Sequence, residues 1–166
     1  MMMRRPVSIE RAYALFGLLL GALPSASIFL KLFGRHSSSS EILLSGWSWL
    51  FLLSSIACGL AGRFIGSKLS SGAEVAERGS WVRMLFNAPL IGALWGLCTG
   101  VLGGFILFYF GAIFGAIFAI PVGMLAFMLF MPLHRLLSHG GMIEAQHLWP
   151  LACGVTLTLT ALILGL

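Results

Sequence analysis

His134, His139, Glu144 and His147 fall within 14 residues of one another in the stretch PLHRLLSHGGMIEAQHLW, where the chain concentrates side chains able to ligate a metal or move a proton. A metal needs donors that converge. His134 and His139 are five positions apart, about 140° around a helix, unlike the i, i+4 pair of metallohydrolases. Gly140 and Gly141 then interrupt any helix. His134, His139 and His147 are therefore weak metal candidates. Contact with lipid headgroups is the simpler role for basic and aromatic residues at a membrane edge. No cofactor is expected.

Hydroxyls are plentiful in the apolar segments: Ser48, Ser54, Ser55, Thr99, Thr156, Thr158 and Thr160. An intramembrane hydrolase would need a base beside one of them, and no His, Lys or Asp stands at the expected membrane depth. The chain has no Asp at all, and its five glutamates (Glu10, Glu41, Glu74, Glu77, Glu144) all fall at or outside the expected boundaries. Proton-coupled transport relies on a buried titrating group, so the sequence argues against it. Passage of a neutral or hydrophobic solute stays open. Cys58, Cys98 and Cys153 lie in separate apolar segments without C-x-x-C spacing and read as packing residues.

The elements that must hold these residues are membrane helices. Of 166 residues, 59% are hydrophobic and 9% charged, and the mean hydropathy is +1.02. A soluble domain carries about 25% charged residues, so this chain cannot cover a water-facing surface. Five spans are expected, at about 12–33, 42–62, 85–107, 111–131 and 149–166. They form one multi-pass, all-α bundle. The first resembles a signal peptide after its MMMRRP start, yet its length favours a retained helix. The polar stretch 67–83 reads as a solvated connection or, over 73–84, a short interfacial helix anchored by Trp81.

Leu85 to Met131 is uncharged over 47 residues. As one helix it would be about 70 Å long against a hydrocarbon core of about 30 Å, so it must double back as an antiparallel pair. A re-entrant segment is the alternative. Eight cations (Arg4, Arg5, Arg11, Arg63, Lys68, Arg78, Arg83, Arg135) share one side of the resulting topology, with only Lys31 and Arg35 opposite. That bias puts the N-terminus in the cytoplasm and suits a bacterial inner membrane with anionic headgroups on the inner face.

Small residues recur every fourth position in both arms of this pair: Gly92, Gly96, Gly100 and Gly104, then Gly111, Gly115, Ala119 and Gly123. Apolar side chains gain little by leaving lipid for one another, so membrane helices associate through close contact, and such stripes let backbones approach. The glycine-lined seam forms within the chain or between protomers; both arrangements satisfy the spacing. Pro6, Pro89, Pro132 and Pro150 read as punctuation at segment edges, while Pro24 and Pro121 lie inside spans. Each interior proline frees a carbonyl four residues earlier, as a kink or as part of a binding pocket. Trp95, mid-span beside the first stripe, is a packing knob or a pocket wall.

These features point first to a non-catalytic packing or accessory subunit, whose partner is another membrane protein or a second copy of the chain. The alternative is a small carrier or channel for a neutral or hydrophobic solute, resting on Pro24, Trp95 and Pro121. No folded basic domain exists to bind nucleic acid.

Overall fold

The computed structural model describes residues 6–33, 46–106, 108–138 and 142–165. Five helices in it are long and apolar enough to cross a membrane. They are α1 (Ile9–Phe33), α2 (Gly46–Arg78), α3 (Trp81–Phe105), α4 (Phe108–Leu137) and α5 (Ala145–Leu164), with two short strands, β1 (Pro6–Ser8) and β2 (Met142–Glu144).

Helix α2 runs unbroken for 33 residues, about 50 Å and well beyond a hydrocarbon core. The polar stretch expected to be a loop or a separate helix over 73–84 is instead the last turns of α2 and the first of α3. Gly72 alone does not stop a helix. Termination comes at Gly79–Ser80, where Ser80 takes an extended conformation and its side chain accepts from the Arg83 N–H at 3.3 Å, an N-cap contact that starts α3. Arg63, expected at the far end of the second span, consequently lies exposed along α2, where its long side chain can reach toward headgroups. Pro89, Pro132 and Pro150, expected at segment edges, sit inside α3, α4 and α5.

The helices close into a ring in which each packs on the next and α5 returns to α1. One end of the bundle gathers the starts of α1, α3 and α5 and the ends of α2 and α4; this is the lower end. There β1 pairs antiparallel with β2, Val7 opposite Ile143, and both side chains turn into the core, Ile143 fully buried and Val7 partly. At the upper end Gly165, in the left-handed conformation at φ 71°, ends α5. Lys31 of α1 donates to the Leu164 carbonyl there at 2.5 Å, a cation at the negative end of a helix dipole.

An aromatic cluster lies at the centre of the buried core, in the lower half. Tyr13 and Phe16 of α1 interleave with Phe127 and Phe130 of α4. The Phe16 and Phe130 rings stack at 3.8 Å between centroids, and Tyr13 meets Phe130 edge-on at 5.3 Å. Trp95 of α3 reaches the same cluster, 6.1 Å from Phe127.

Candidate functional site

Two features stand out inside the ring: an apolar cavity toward the upper end and a polar cluster buried at the lower end. Both depend on how closely the helix backbones approach.

Along α3 and α4, a Cβ added at Gly92 would lie 2.2 Å from the Gly123 carbonyl oxygen, at Gly96 2.2 Å from that of Ala119, at Gly100 2.4 Å from that of Gly115, and at Gly104 2.1 Å from that of Gly111. No side chain fits at such distances. A second set of close approaches joins α1 and α2. There a Cβ at Gly17 would stand 2.2 Å from the Gly62 oxygen, at Gly21 2.3 Å from that of Cys58, and at Gly66 2.4 Å from that of Tyr13. This second pair is not among the stripes expected from the sequence. Its signal was present in the four-residue steps Gly17, Gly21, Ser25 and Cys58, Gly62, Gly66, Ser70, diluted by residues other than glycine. Ser54 tightens the next contact in the ring, donating to the Gly103 carbonyl of α3 at 2.8 Å.

The cavity between these helices has a volume of about 480 Å³, within the range of small-molecule sites. All five helices contribute to its wall, which carries no ionisable side chain except the Cys58 thiol; Leu20, Pro24, Phe51, Trp95, Phe118 and Ile163 are among the residues that form it. Its few hydroxyls are engaged by backbone. Ser25 donates to the Gly21 carbonyl at 2.6 Å, Ser55 to that of Phe51 at 2.9 Å, and Thr99 to that of Trp95 at 2.7 Å. The Trp95 indole N–H donates to the Gly62 carbonyl at 3.1 Å. Trp95 is thus both a buried packing residue and one wall of the cavity. Of the two prolines grouped with it, Pro24 lines the cavity, whereas Pro121 is exposed on α4 and does not. Ser25 and Ser27 bond back to the Gly21, Ala22 and Leu23 carbonyls, not to the Leu20 carbonyl freed by Pro24.

At the lower end the Tyr13 hydroxyl donates to Glu77 Oε1 at 2.5 Å. His134 Nδ1 lies 3.0 Å from Oε1 and 3.1 Å from Oε2 of the same carboxyl. Tyr13 and His134 are wholly buried and Glu77 is 8% exposed. Three helices, α1, α2 and α4, therefore meet at one carboxylate. Among the described residues His134 Nε2 is a buried nitrogen with no hydrogen-bond partner. The stretch around Glu77, expected to be a solvated connection or a short interfacial helix, instead packs against α1 and α4. Its helix does not end where the polar residues begin, and its partners are 64 and 57 positions away in the chain.

The weak metal candidates are not gathered. His134 is held inside by Glu77, His147 is exposed on α5 with Nδ1 3.8 Å from Glu144, and His139 lies outside the described residues. No group of three or more His, Cys, Asp or Glu side chains able to hold a metal forms among the described residues. Thr156 and Thr160 donate to carbonyls of their own helix, at 2.8 Å to Ala152 and 2.7 Å to Thr156, as hydroxyls in membrane helices commonly do.

No protein-family model, curated protein or solved structure matches this chain.

Proposed function

We propose that this multi-pass membrane protein is a small carrier whose intramembrane cavity takes up a neutral, hydrophobic solute. The cavity of about 480 Å³ carries this reading. Its wall has no charged group, and the Ser25, Ser55 and Thr99 hydroxyls and the Trp95 N–H all face backbone carbonyls. A polar solute entering such a site would leave its own donors and acceptors unpaired, at a cost of about 1–3 kcal/mol each. An apolar solute makes no such demand. The cation bias supports a cytoplasmic lower end, because Arg11, Lys68, Arg78, Arg83 and Arg135 belong to that half of the bundle and Lys31 to the other. A bacterial inner membrane, anionic on that face, suits the arrangement.

A dibrominated long-chain alcohol tests the reading, since bromine quenches indole fluorescence only at close range. In a variant keeping Trp95 as the sole tryptophan, saturable quenching is expected in detergent. Ser55→Phe, which fills the cavity and gives up only a bond within its own helix, is expected to abolish the saturable part. Quenching that rises linearly with probe, as simple partitioning does, would remove the carrier reading.

A second reading, as a packing or accessory subunit, keeps one support. The outer faces of α3 and α4 expose Phe86, Leu90, Leu94, Phe110, Ile113 and Ile117, a surface that suits lipid, a membrane partner or a second copy of the chain. Native mass measurement in mild detergent decides it, and a strictly solitary monomer counts against an assembly.

A further inference from the structure

We propose that Tyr13, Glu77 and His134 form a proton-binding site, and that the proton taken up at His134 Nε2 is the second substrate of the carrier. The coupling half rests on the carrier reading above; the proton site does not.

The chemistry follows from the hydrogen bonds. With Glu77 ionised, its carboxylate accepts from the Tyr13 O–H and from Nδ1–H of a neutral His134 ring, contacts of 2.5, 3.0 and 3.1 Å. The ring hydrogen is then on Nδ1, and Nε2 keeps a bare lone pair with no hydrogen-bond partner among the described residues. Nε2 has no contact with water in the structure, so within this proposal hydronium reaches the ring through a local opening of the lower end and gives its proton to that lone pair, leaving water. One N–H bond forms, no bond in the cluster breaks, and the cluster passes from a charge of −1 to a neutral carboxylate–imidazolium pair. A buried lone cation would be costly; the carboxylate already in contact with Nδ1 offsets its charge. An imidazole held by a carboxylate through Nδ1 presents the other nitrogen for proton transfer. Ionisable groups buried in membrane bundles mark proton and solute pathways.

Charged neighbours on the packed elements do not compete for this role. On α1, Glu10 and Arg11 are exposed. On α2, Glu74 pairs with Arg78 at the surface. Arg83 of α3 is exposed, and Arg135 of α4 lies over the Trp81 ring at 4.5 Å. At the start of α5, Glu144 accepts from Gln146 and lies near His147.

The cluster also has a mechanical path to the cavity. It ties α1, α2 and α4 together at the lower end, and the same three helices, with α3 and α5, wall the cavity higher up. Tyr13 stands 6.0 Å from Phe127, Phe127 6.1 Å from Trp95, and Trp95 lines the cavity while bonded to Gly62 of α2. Changing the charge of the clamp changes the tie between helices that wall the solute site.

Two measurements on the full chain test this. First, nitrogen-15 NMR of histidine-labelled protein in detergent, with His134 assigned through His134→Gln, reads each ring nitrogen from pH 8 to pH 5. Nδ1 is expected to stay protonated throughout and Nε2 to become protonated on acidification. An Nε2 signal that does not change overturns the proton site without any variant having to fold. Second, the affinity of the Trp95-only protein for the dibrominated alcohol is compared at pH 8 and pH 5. Linked binding reactions typically change one another's affinity by about 5–150-fold, so at least a fivefold change is expected, reduced to less than twofold in Glu77→Gln. A change that persists in Glu77→Gln, or no change in the wild type, overturns the coupling. Protonation of Nε2 in a protein that fails to bind the alcohol saturably upholds the proton site and removes the carrier reading together with the coupling.

Discussion

Glu77 is the residue on which the lower end of the bundle depends, because one carboxylate partners both a phenol and an imidazole that have no contact with water. Truncating it leaves two buried polar groups unpaired. Glu77→Ala is expected to destabilise the protein by about 3–5 kcal/mol, the usual cost of breaking a buried pair from one side. Tyr13→Phe removes one donor and leaves the His134 contact, so about 1.5–3 kcal/mol is expected, the range for a hydrogen bond to a charged group. Equilibrium unfolding in mixed detergent reads both. In the double variant the Tyr13 effect should vanish, since its acceptor is already gone, and additive losses would contradict the shared carboxylate. None of this was readable along the chain. Glu77 stands in AEVAERGS, which looks like any solvated polar stretch, and what makes it different is a tyrosine 64 positions before it and a histidine 57 positions after it. Trp95 was easier to notice, because a lone tryptophan in the middle of an uncharged run has no interfacial reason to be there.

At the scale of the helices, separation is set by backbone rather than by side chains. A Cβ at Gly96 would sit 2.2 Å from the Ala119 oxygen and 2.8 Å from the Ile120 Cα, and a neighbouring backbone cannot swing aside as a side-chain tip can. Gly96→Leu must therefore push α3 and α4 apart, and a loss of at least about 3 kcal/mol is expected, the upper part of the overpacking range. Gly154→Ala, where nothing lies within 4 Å of the added carbon, is expected to gain up to about 1 kcal/mol from helix propensity. Comparing the two by thermal unfolding separates tight packing from the general intolerance of glycine helices to substitution; equal losses would refute the argument. Five apolar helices were legible from hydropathy alone, since crossing a bilayer takes about 20 predominantly apolar residues. Helix ends were less so. α2 continues 16 residues past Gly62 because nothing before Gly79–Ser80 stops it, and a change of polarity is not a change of backbone conformation. The small-residue steps on α1 and α2 were equally visible in kind, but serine and cysteine hide a pattern that glycine advertises.

The whole molecule is asymmetric end to end: its polar clamp and most of its described cations lie low, and its cavity lies high. Orientation in the membrane therefore decides from which side the proposed proton arrives. Lys and Arg collect on the cytoplasmic side of membrane proteins because moving them across during insertion is unfavourable, so the lower end should face the cytoplasm and the cavity should lie nearer the outside. A cysteine-free background, made by replacing Cys58, Cys98 and Cys153, lets one thiol report each end. Ser80, exposed in the α2–α3 turn, marks the lower end and exposed Lys31 the upper. In intact bacterial cells a membrane-impermeant maleimide is expected to label Lys31→Cys directly and Ser80→Cys only after permeabilisation. The converse pattern would invert the protein and place His134 at the outer face. The same reagent also tests the clamp. If protonation at Nε2 loosens the tie between α1, α2 and α4, labelling of a thiol at Ser25, on the cavity wall, should change between pH 8 and pH 5 in the wild type and stay constant in Glu77→Gln. A thiol whose reaction rate follows only its own ionisation, identically in both proteins, would leave the lower end rigid and the two sites independent.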